Sequence, residues 1–376
     1  MKEFEVKTKV FFGTGSLNYL KEFQNRKIFI VTDPFMVKSG IIDRILQPLS
    51  EGSYTIFSDV VPDPPMELVV SGVSQVLEYR PDVMIALGGG SSIDAAKAIM
   101  QFAKQIGGYG KMLFVAIPTT SGTGSEVTSF AVITDKGKGV KYPLVSDELL
   151  PDIAILEPEL VKSVPPAIVA DTGLDVLTHA IEAYVSTKAT DFSDAFAEKA
   201  VKLVFEYLLR SYQNSEDVIA KEKMHNASCL AGIAFNLASL GLNHAIAHNI
   251  GGKLHIPHGR TNAILLPYVI DYNANITGYS MREYSEAAKK YAKLANLIGI
   301  QGSNPRILVK AFIQEIEKIM HAMKMPRKLT DCKVSQEEVA SVVDQIAIGA
   351  LEDACYETNP RTITKEAIIE LIKKVS

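Results

Sequence analysis

The texture of the chain changes at Val164-Pro165-Pro166. Up to about residue 165, short β-branched runs alternate with helix-length segments: KIFIVTD (27–33), YTIFSDV (54–60), DVMIALGGG (82–90), MLFVAIPTT (112–120) and DIAILEP (152–158). Continuous apolar runs of this length, separated by helical stretches, predict strands buried on both faces of a parallel sheet. Beyond the prolines the strand signals thin out. Long Ala- and Leu-rich helical patterns such as DFSDAFAEKAVKLVFEYLLRSY (191–212) take over. Paired prolines end one element and can open a helix. The expected architecture is therefore an α/β domain over residues 1–164 and an all-helical domain over 165–376. A chain of 376 residues is too long for one ordinary core and suits this division.

Charge and cysteine usage narrow the partners. The formal net charge of −4 comes from interspersed acids and bases, with no basic stripe for nucleic acid and no polybasic tail for anionic lipid. No run approaches the ~20 apolar residues of a membrane span. The start, MKEFEVKTKVFFGTG, carries charge where a signal peptide needs an apolar core. Three cysteines without CxxC spacing fit a reducing compartment. A cytoplasmic protein with a small-molecule partner, and no nucleic acid or membrane, is expected.

The stretch DVMIALGGGSSIDAAKAIM reads as strand, glycine turn and helix. Consecutive glycines let the backbone approach a phosphate, and the first amides of the helix favour an anion there. Ser91 and Asp94 either reach ligand hydroxyls or cap the helix. Asp33 stands just past the strand KIFIVT. From there a carboxylate can accept hydrogen bonds from an adenosine ribose and repel a 2′-phosphate, which would select NAD over NADP; the alternative is a turn aspartate before Pro34. PTTSGTGSEVT (118–128) gathers hydroxyls and glycines after another strand.

Four of the seven histidines, His244, His248, His255 and His258, fall in one fifteen-residue window. Asp175 and His179 are spaced i, i+4 in GLDVLTHAIEAY, hence on one helix face, and His244 and His248 repeat that spacing. A carboxylate oxygen with two or three imidazoles suits Fe²⁺ or Zn²⁺ and leaves room for a substrate oxygen. Spacing alone leaves open which of His244, His248 and His255 stays off the metal. Metal and dinucleotide together point to redox chemistry on an alcohol or aldehyde.

These segments resemble the iron-containing (group III) alcohol dehydrogenase family over nearly the whole chain. The blocks are VFFGTGSL (10–17), GGGSSIDAAKA (88–98), PTTSGTGSEVT (118–128), VKYPLVSDELLPDIAILEPEL (140–160), GLDVLTHAIEAYVS (173–186), GLNHAIAHNIGG to PHGRTNAILLPYV (241–269) and TNPR (358–361). Within the family, KGVKYPL, KMHNAS and SLGLNHAIAHNIGG are most similar to the propanol dehydrogenase branch of bacterial propanediol utilisation; the Asp-Pro at 33–34 departs from that branch but keeps the acid.

The resemblance implies a Rossmann-like N-terminal domain and a helical C-terminal domain, as in dehydroquinate synthase, with metal and nicotinamide held in a cleft between them. It assigns Asp175, His179, His244 and His258 to Fe²⁺, with Zn²⁺ as the alternative ion, and His248 to an active-site position near the metal as a proton relay. It assigns Asp33, Gly89, Gly90, Ser91, Asp94, Thr119, Thr120, Thr128 and Lys141 to NAD(H), and Phe130, Phe235, Leu240 and Cys355 to an apolar substrate pocket. The implied reaction interconverts short-chain primary alcohols and aldehydes, propanal and 1-propanol foremost.

A polyol oxidoreductase acting on glycerol or a lactaldehyde–propanediol pair is the nearest alternative. A dehydroquinate synthase-like lyase would need a basic, polar pocket, and an inactive scaffold would have lost ligands. A homodimer or higher homo-oligomer is expected. The chain carries no extra N-terminal helix of the kind that targets cargo to a bacterial microcompartment, so encapsulation would act through a shell-protein partner.

Overall fold

The structure, a computed structural model, describes residues 3–50, 52–108, 112–135, 137, 140–278 and 283–376, and the side chains at 140 and 141 lie outside that description. Two compact units divide the chain, Met1–Ser163 and Val164–Ser376.

In the first unit six strands form one parallel sheet. They are β1 (Lys9–Phe12), β2 (Lys27–Val31), β3 (Ser53–Phe57), β4 (Val83–Gly88), β5 (Leu113–Pro118) and β8 (Ile153–Leu156), in the order β1-β8-β5-β4-β2-β3. Every residue of β4 is buried, and so are four of the five in β2, which is why these runs read as continuous apolar segments. Side chains alternate between two cores. Phe29, Val31, Met84 and Ala86 face the core shared with α3 (Met66–Tyr79) and α4 (Gly90–Gly107). Ile28, Ile30, Ile85 and Leu87 face the other, which holds Leu20, Phe23, Ile45 and Leu49 together with the short helices α1 (Pro34–Lys38) and α2 (Asp43–Leu46). On the α3–α4 side, a Cβ on Gly72 would collide with Ile99, so glycine sets how closely these helices pack.

The chain leaves β2 outward to β3 and then returns to β4 on the other side of β2. Strand order therefore reverses between β2 and β4. At such a point the loops at the carboxyl ends diverge and open a crevice for ligand. Asp33 and the glycine turn Gly88–Gly90 follow these two strands.

Two elements were not anticipated. β1 is a four-residue edge strand, too short for a pattern. The segments β6 (Phe130–Asp135) and β7 (Val140–Val145) pair as an antiparallel hairpin, with Thr134 opposite Lys141. Val132 and Val145 are exposed, so apolar residues here do not mark a strand covered on both faces.

The described secondary structure of the second unit is all helical: α5 (Pro166–Val185), α6 (Asp191–Gln213), α7 (Val218–Ala238), α8 (Leu242–Leu254), α9 (His258–Ala274), α10 (Glu286–Leu297), α11 (Pro305–Ala322), α12 (Gln336–Glu352) and α13 (Lys365–Lys374). Pro166 opens α5 at its first position, where the missing amide costs nothing. From Gly173 to Val185 every residue of α5 is buried, because α6, α7 and α9 pack around it. Glycine permits two of those approaches. A Cβ on Gly173 would collide with Leu208, and one on Gly259 would collide with the Asp171 carbonyl. Beside that second contact, Arg260 of α9 grips Asp171 of α5 through two hydrogen bonds of 3.1 and 3.0 Å. No single helix among the described residues is long and apolar enough to cross a membrane.

Candidate metal centre and nucleotide turn

Asp175 and His179 project from the buried length of α5, His244 from the first turn of α8 and His258 from the first residue of α9. One ligand atom from each lies within 4.8 Å of all the others. The Asp175 Oδ1 atom is 3.6 Å from His244 Nε2 and 3.5 Å from His258 Nε2. A tetrahedral ion with ~2.1 Å bonds holds its ligands about 3.4 Å apart, so the spacing fits a shared ion. His179 is sandwiched between the Phe235 ring at 4.6 Å and the His244 ring at 4.5 Å, and its buried Nδ1 has no hydrogen-bond partner. Three of the four side chains are buried, whereas that of His258 is 41% exposed and marks the open side.

The surroundings fix these groups. Glu182, one turn after His179 on α5, accepts the Asn243 amide through Oε1 at 2.6 Å and the His244 amide and Nδ1 through Oε2 at 3.3 and 2.5 Å. The Asn359 side chain accepts the Leu242 amide at 3.1 Å. The first three amides of α8, unpaired within the helix itself, are thus met by Asn359 and Glu182. Because Nδ1–H goes to Glu182, it is Nε2 of His244 that faces the cluster. A Cβ on Gly241 would lie 2.9 Å from both Asn359 and Glu182, so only glycine lets them close over this helix end. Asn262, one turn after His258, donates to Asp175 Oδ1 at 2.7 Å, and its own Oδ1 accepts from Asn243 at 2.8 Å.

Electrostatics follow the same contacts. Burial alone would raise the Asp175 carboxyl, but the His179, His258 and His244 rings outweigh it and hold it far below the usual carboxylate range. Burial pushes His179 down to about 3, so it stays neutral, with the lone pair of one ring nitrogen available. His244 is opposed by burial but raised to about 9 by hydrogen bonds with Asp175 and Glu182. We expect Glu182→Gln to weaken divalent-metal affinity about 10- to 100-fold, since it removes the charge that orients and enriches His244 and turns one of the two accepting oxygens into a donor. Competition against a chelator of known affinity measures this, and an unchanged affinity would count against it.

His248, one turn past His244, stacks on His258 with ring centroids 5.2 Å apart. Its Nδ1 lies 2.9 Å from Asp353 Oδ2. Cys355 is partly buried two residues further on, and burial pushes its thiol well above the usual range. Phe235 and Leu240 are buried, Phe235 against His179. His255 ends α8 in a left-handed conformation, outside the cluster.

In the first unit, Gly89 precedes α4 and no side chain caps that helix, which leaves its leading amides for an anion. The turn is tightly enclosed. Gly88 has φ of 148°, and a Cβ on it would collide with Ser92 and lie 3.4 Å from Asp33 Oδ2. One on Gly90 would come within 2.7 Å of Thr123, and one on Gly89 within 3.4 Å of Thr120. Ser91 sits half-buried in the first turn of α4, and Thr119 has a buried hydroxyl with no partner. Asp33 caps α1, with Oδ1 accepting Phe35 and Met36 amides at 2.8 and 3.1 Å.

Asp94 and Thr128 belong to a buried brace. Asp94 accepts Ser125 Oγ at 2.7 Å and the Val132 amide at 3.1 Å, while Lys97 donates to the Thr128 and Phe130 carbonyls at 2.7 Å each and to Thr128 Oγ1 at 3.2 Å. Burial lowers Lys97 to about 8 and raises Asp94 and Glu126, the latter to about 7. Phe130 is half-buried at the start of β6, and the side chain of Lys141 lies outside the described residues.

Sequence reasoning missed Glu182, Asn243, Asn262, Asp353 and Asn359. Glu182 falls seven residues after Asp175 on the same helix face, and Asn262 four after His258, so helical spacing could have found both. Asp353 and Asn359 carry no such signal.

Two family models account for the chain: the iron-containing alcohol dehydrogenase model matches residues 7–158, and the C-terminal model of the Fe-containing alcohol dehydrogenase family matches 169–376. The chain belongs to the iron-containing alcohol dehydrogenase family. It is accordingly an oxidoreductase of the alcohol dehydrogenase type. It is 46% identical to the 1-propanol dehydrogenase PduQ of Salmonella typhimurium, over all of both chains. The solved 1,3-propanediol oxidoreductase is 33% identical, covers all of both chains and superposes with a TM-score of 0.91. The sulfoacetaldehyde reductase of Bifidobacterium kashiwanohense, solved with NAD⁺, is 29% identical over 100% of this chain and 98% of that one, with a TM-score of 0.85.

Proposed function

We propose that this dehydrogenase interconverts short primary alcohols and aldehydes, propanal and 1-propanol foremost, using NAD(H) and one divalent iron ion. The observation that carries the reading is the convergence of Asp175, His179, His244 and His258 in a chain 46% identical to a 1-propanol dehydrogenase. Those four residues would hold the ion, and the orphaned His179 Nδ1 and the Asp–imidazole spacing fit it. Bound iron supplies Lewis acidity toward an alcohol or carbonyl oxygen. NAD(H), whose fit rests on the uncapped α4 and the enclosed glycine turn, supplies the hydride chemistry.

The protein's own groups do the rest. Glu182 and Asn262 fix the ligand side chains. Asp353 holds the His248 ring through Nδ1, and the half-exposed imidazole exchanges the alcohol proton with solvent through Nε2. Phe235, buried against His179, keeps water from one side of the cluster. The proposal extends to a cytoplasmic homo-oligomer with access to a microcompartment through a shell protein, in line with the resemblance to the propanediol-utilisation branch.

An apolar pocket separates homologues weakly, at ~1 to 3 kcal/mol per methylene. Activity should therefore spread over short straight-chain aldehydes with propanal among the best. Glycerol should be poor, because its hydroxyls would lose water against apolar side chains without gaining partners. A panel of propanal, butanal, glycerol and 1,2-propanediol with either redox form of NAD tests this. A preference for glycerol over 1-propanol would favour the polyol reading.

A further inference from the structure

Beside the four-residue cluster, a separate trio of donors converges. His248 offers a ring nitrogen from α8, and Asp353 and Cys355 offer an oxygen and a sulfur from the turn that follows α12; the three donor atoms lie within 4.8 Å of one another. The arrangement is built in. Asp353 Oδ1 accepts the Cys355 amide at 2.9 Å, so one residue folds the turn that presents the other. The same turn is pinned to the start of α8 by Thr358, which donates to the Leu240 carbonyl at 2.6 Å, and by Asn359 on the Leu242 amide. With the His248 side chain 41% exposed, an ion could enter from solvent and keep water as a further ligand.

We propose that His248, Asp353 and Cys355 form a second divalent-cation site, selective for soft or borderline ions such as Zn²⁺ and Co²⁺ over Mg²⁺ and Ca²⁺. Thiolate, imidazole and carboxylate together are a zinc-type donor set. The Asp175 cluster, by contrast, has no sulfur. Binding converts the Cys355 thiol into a metal-bound thiolate and releases its proton to solvent, so the site fills more tightly as pH rises. It also withdraws His248 from proton exchange. Excess zinc should therefore inhibit the enzyme while the iron stays in place, which goes beyond the proposed reaction and does not depend on its substrate.

The thiolate gives a direct readout. In anaerobic titration of the iron-loaded enzyme, one equivalent of Co²⁺ should bring up a thiolate-to-cobalt charge-transfer absorption in the near ultraviolet, and Zn²⁺ should erase it. Cys355→Ser should lose the band and still hold one iron per chain, which shows that the variant has folded. Asp353→Asn should weaken Co²⁺ binding at least tenfold, and Cys229→Ser and Cys332→Ser should leave the band intact. Absence of the band in the wild-type enzyme, its survival in Cys355→Ser, or its loss in Cys332→Ser would overturn the site.

Discussion

Replacing His258 with alanine should remove bound iron and turnover together, lowering kcat/KM by about a thousandfold, since Lewis-acid stabilisation is worth several kcal/mol. His258 is the cleanest of the four donors to remove because its side chain is the exposed one. His244→Ala should lose metal too, but at a cost in stability. It strands the buried Glu182 carboxylate, and breaking a buried charged pair costs roughly 3 to 5 kcal/mol. His248→Ala should keep the iron and slow turnover, because this ring bonds Asp353 and lies outside the four-donor cluster. Metal analysis beside steady-state kinetics separates the three; iron loss in His248→Ala equal to that in His258→Ala would make His248 a ligand.

The second large effect concerns Asp33. Its Oδ1 is occupied in capping α1, while Oδ2 lies beside Gly88, where strand order reverses. If that carboxylate meets the adenosine ribose, NADP brings a phosphate against it and forfeits the hydroxyl hydrogen bonds, each a loss of order 1 to 3 kcal/mol. NAD(H) should then win by at least tenfold in kcat/KM. Asp33→Gly should narrow that ratio while leaving iron content and aldehyde preference unchanged. Since glycine also gives up the side-chain cap, Asp33→Asn is the sharper variant, as asparagine caps equally well and carries no charge. An unchanged NAD-to-NADP ratio in Asp33→Asn would leave Asp33 with capping alone.

How much was legible in the sequence depended on how each element is buried. β2 and β4 announced themselves because both faces of the sheet are covered, which forces unbroken apolar runs. In β6 the neighbours Ala131, Val132 and Ile133 are buried, exposed and buried, so no face-to-face covered run marked that strand. For the metal centre, i, i+4 spacing paired Asp175 with His179, but only the packing of α5, α8 and α9 sets His244 and His258 against them. The acids and amides that position these ligands were invisible for a related reason. Glu182 and Asn262 look like ordinary solvent-facing residues until the neighbouring helix that buries them is known. In the nucleotide half, Asp94 and Thr128 were expected at the cofactor, and the structure shows them bonded to Ser125, Val132 and Lys97.

If Asp175, His179, His244 and His258 hold one catalytic iron ion, turnover stops when that ion is removed. Protein purified without oxygen, stripped with a chelator and assayed with propanal and NADH tests it most directly. The stripped enzyme should show no turnover and should recover fully at one equivalent of Fe²⁺ per chain. Undiminished turnover in demonstrably metal-free protein would contradict it.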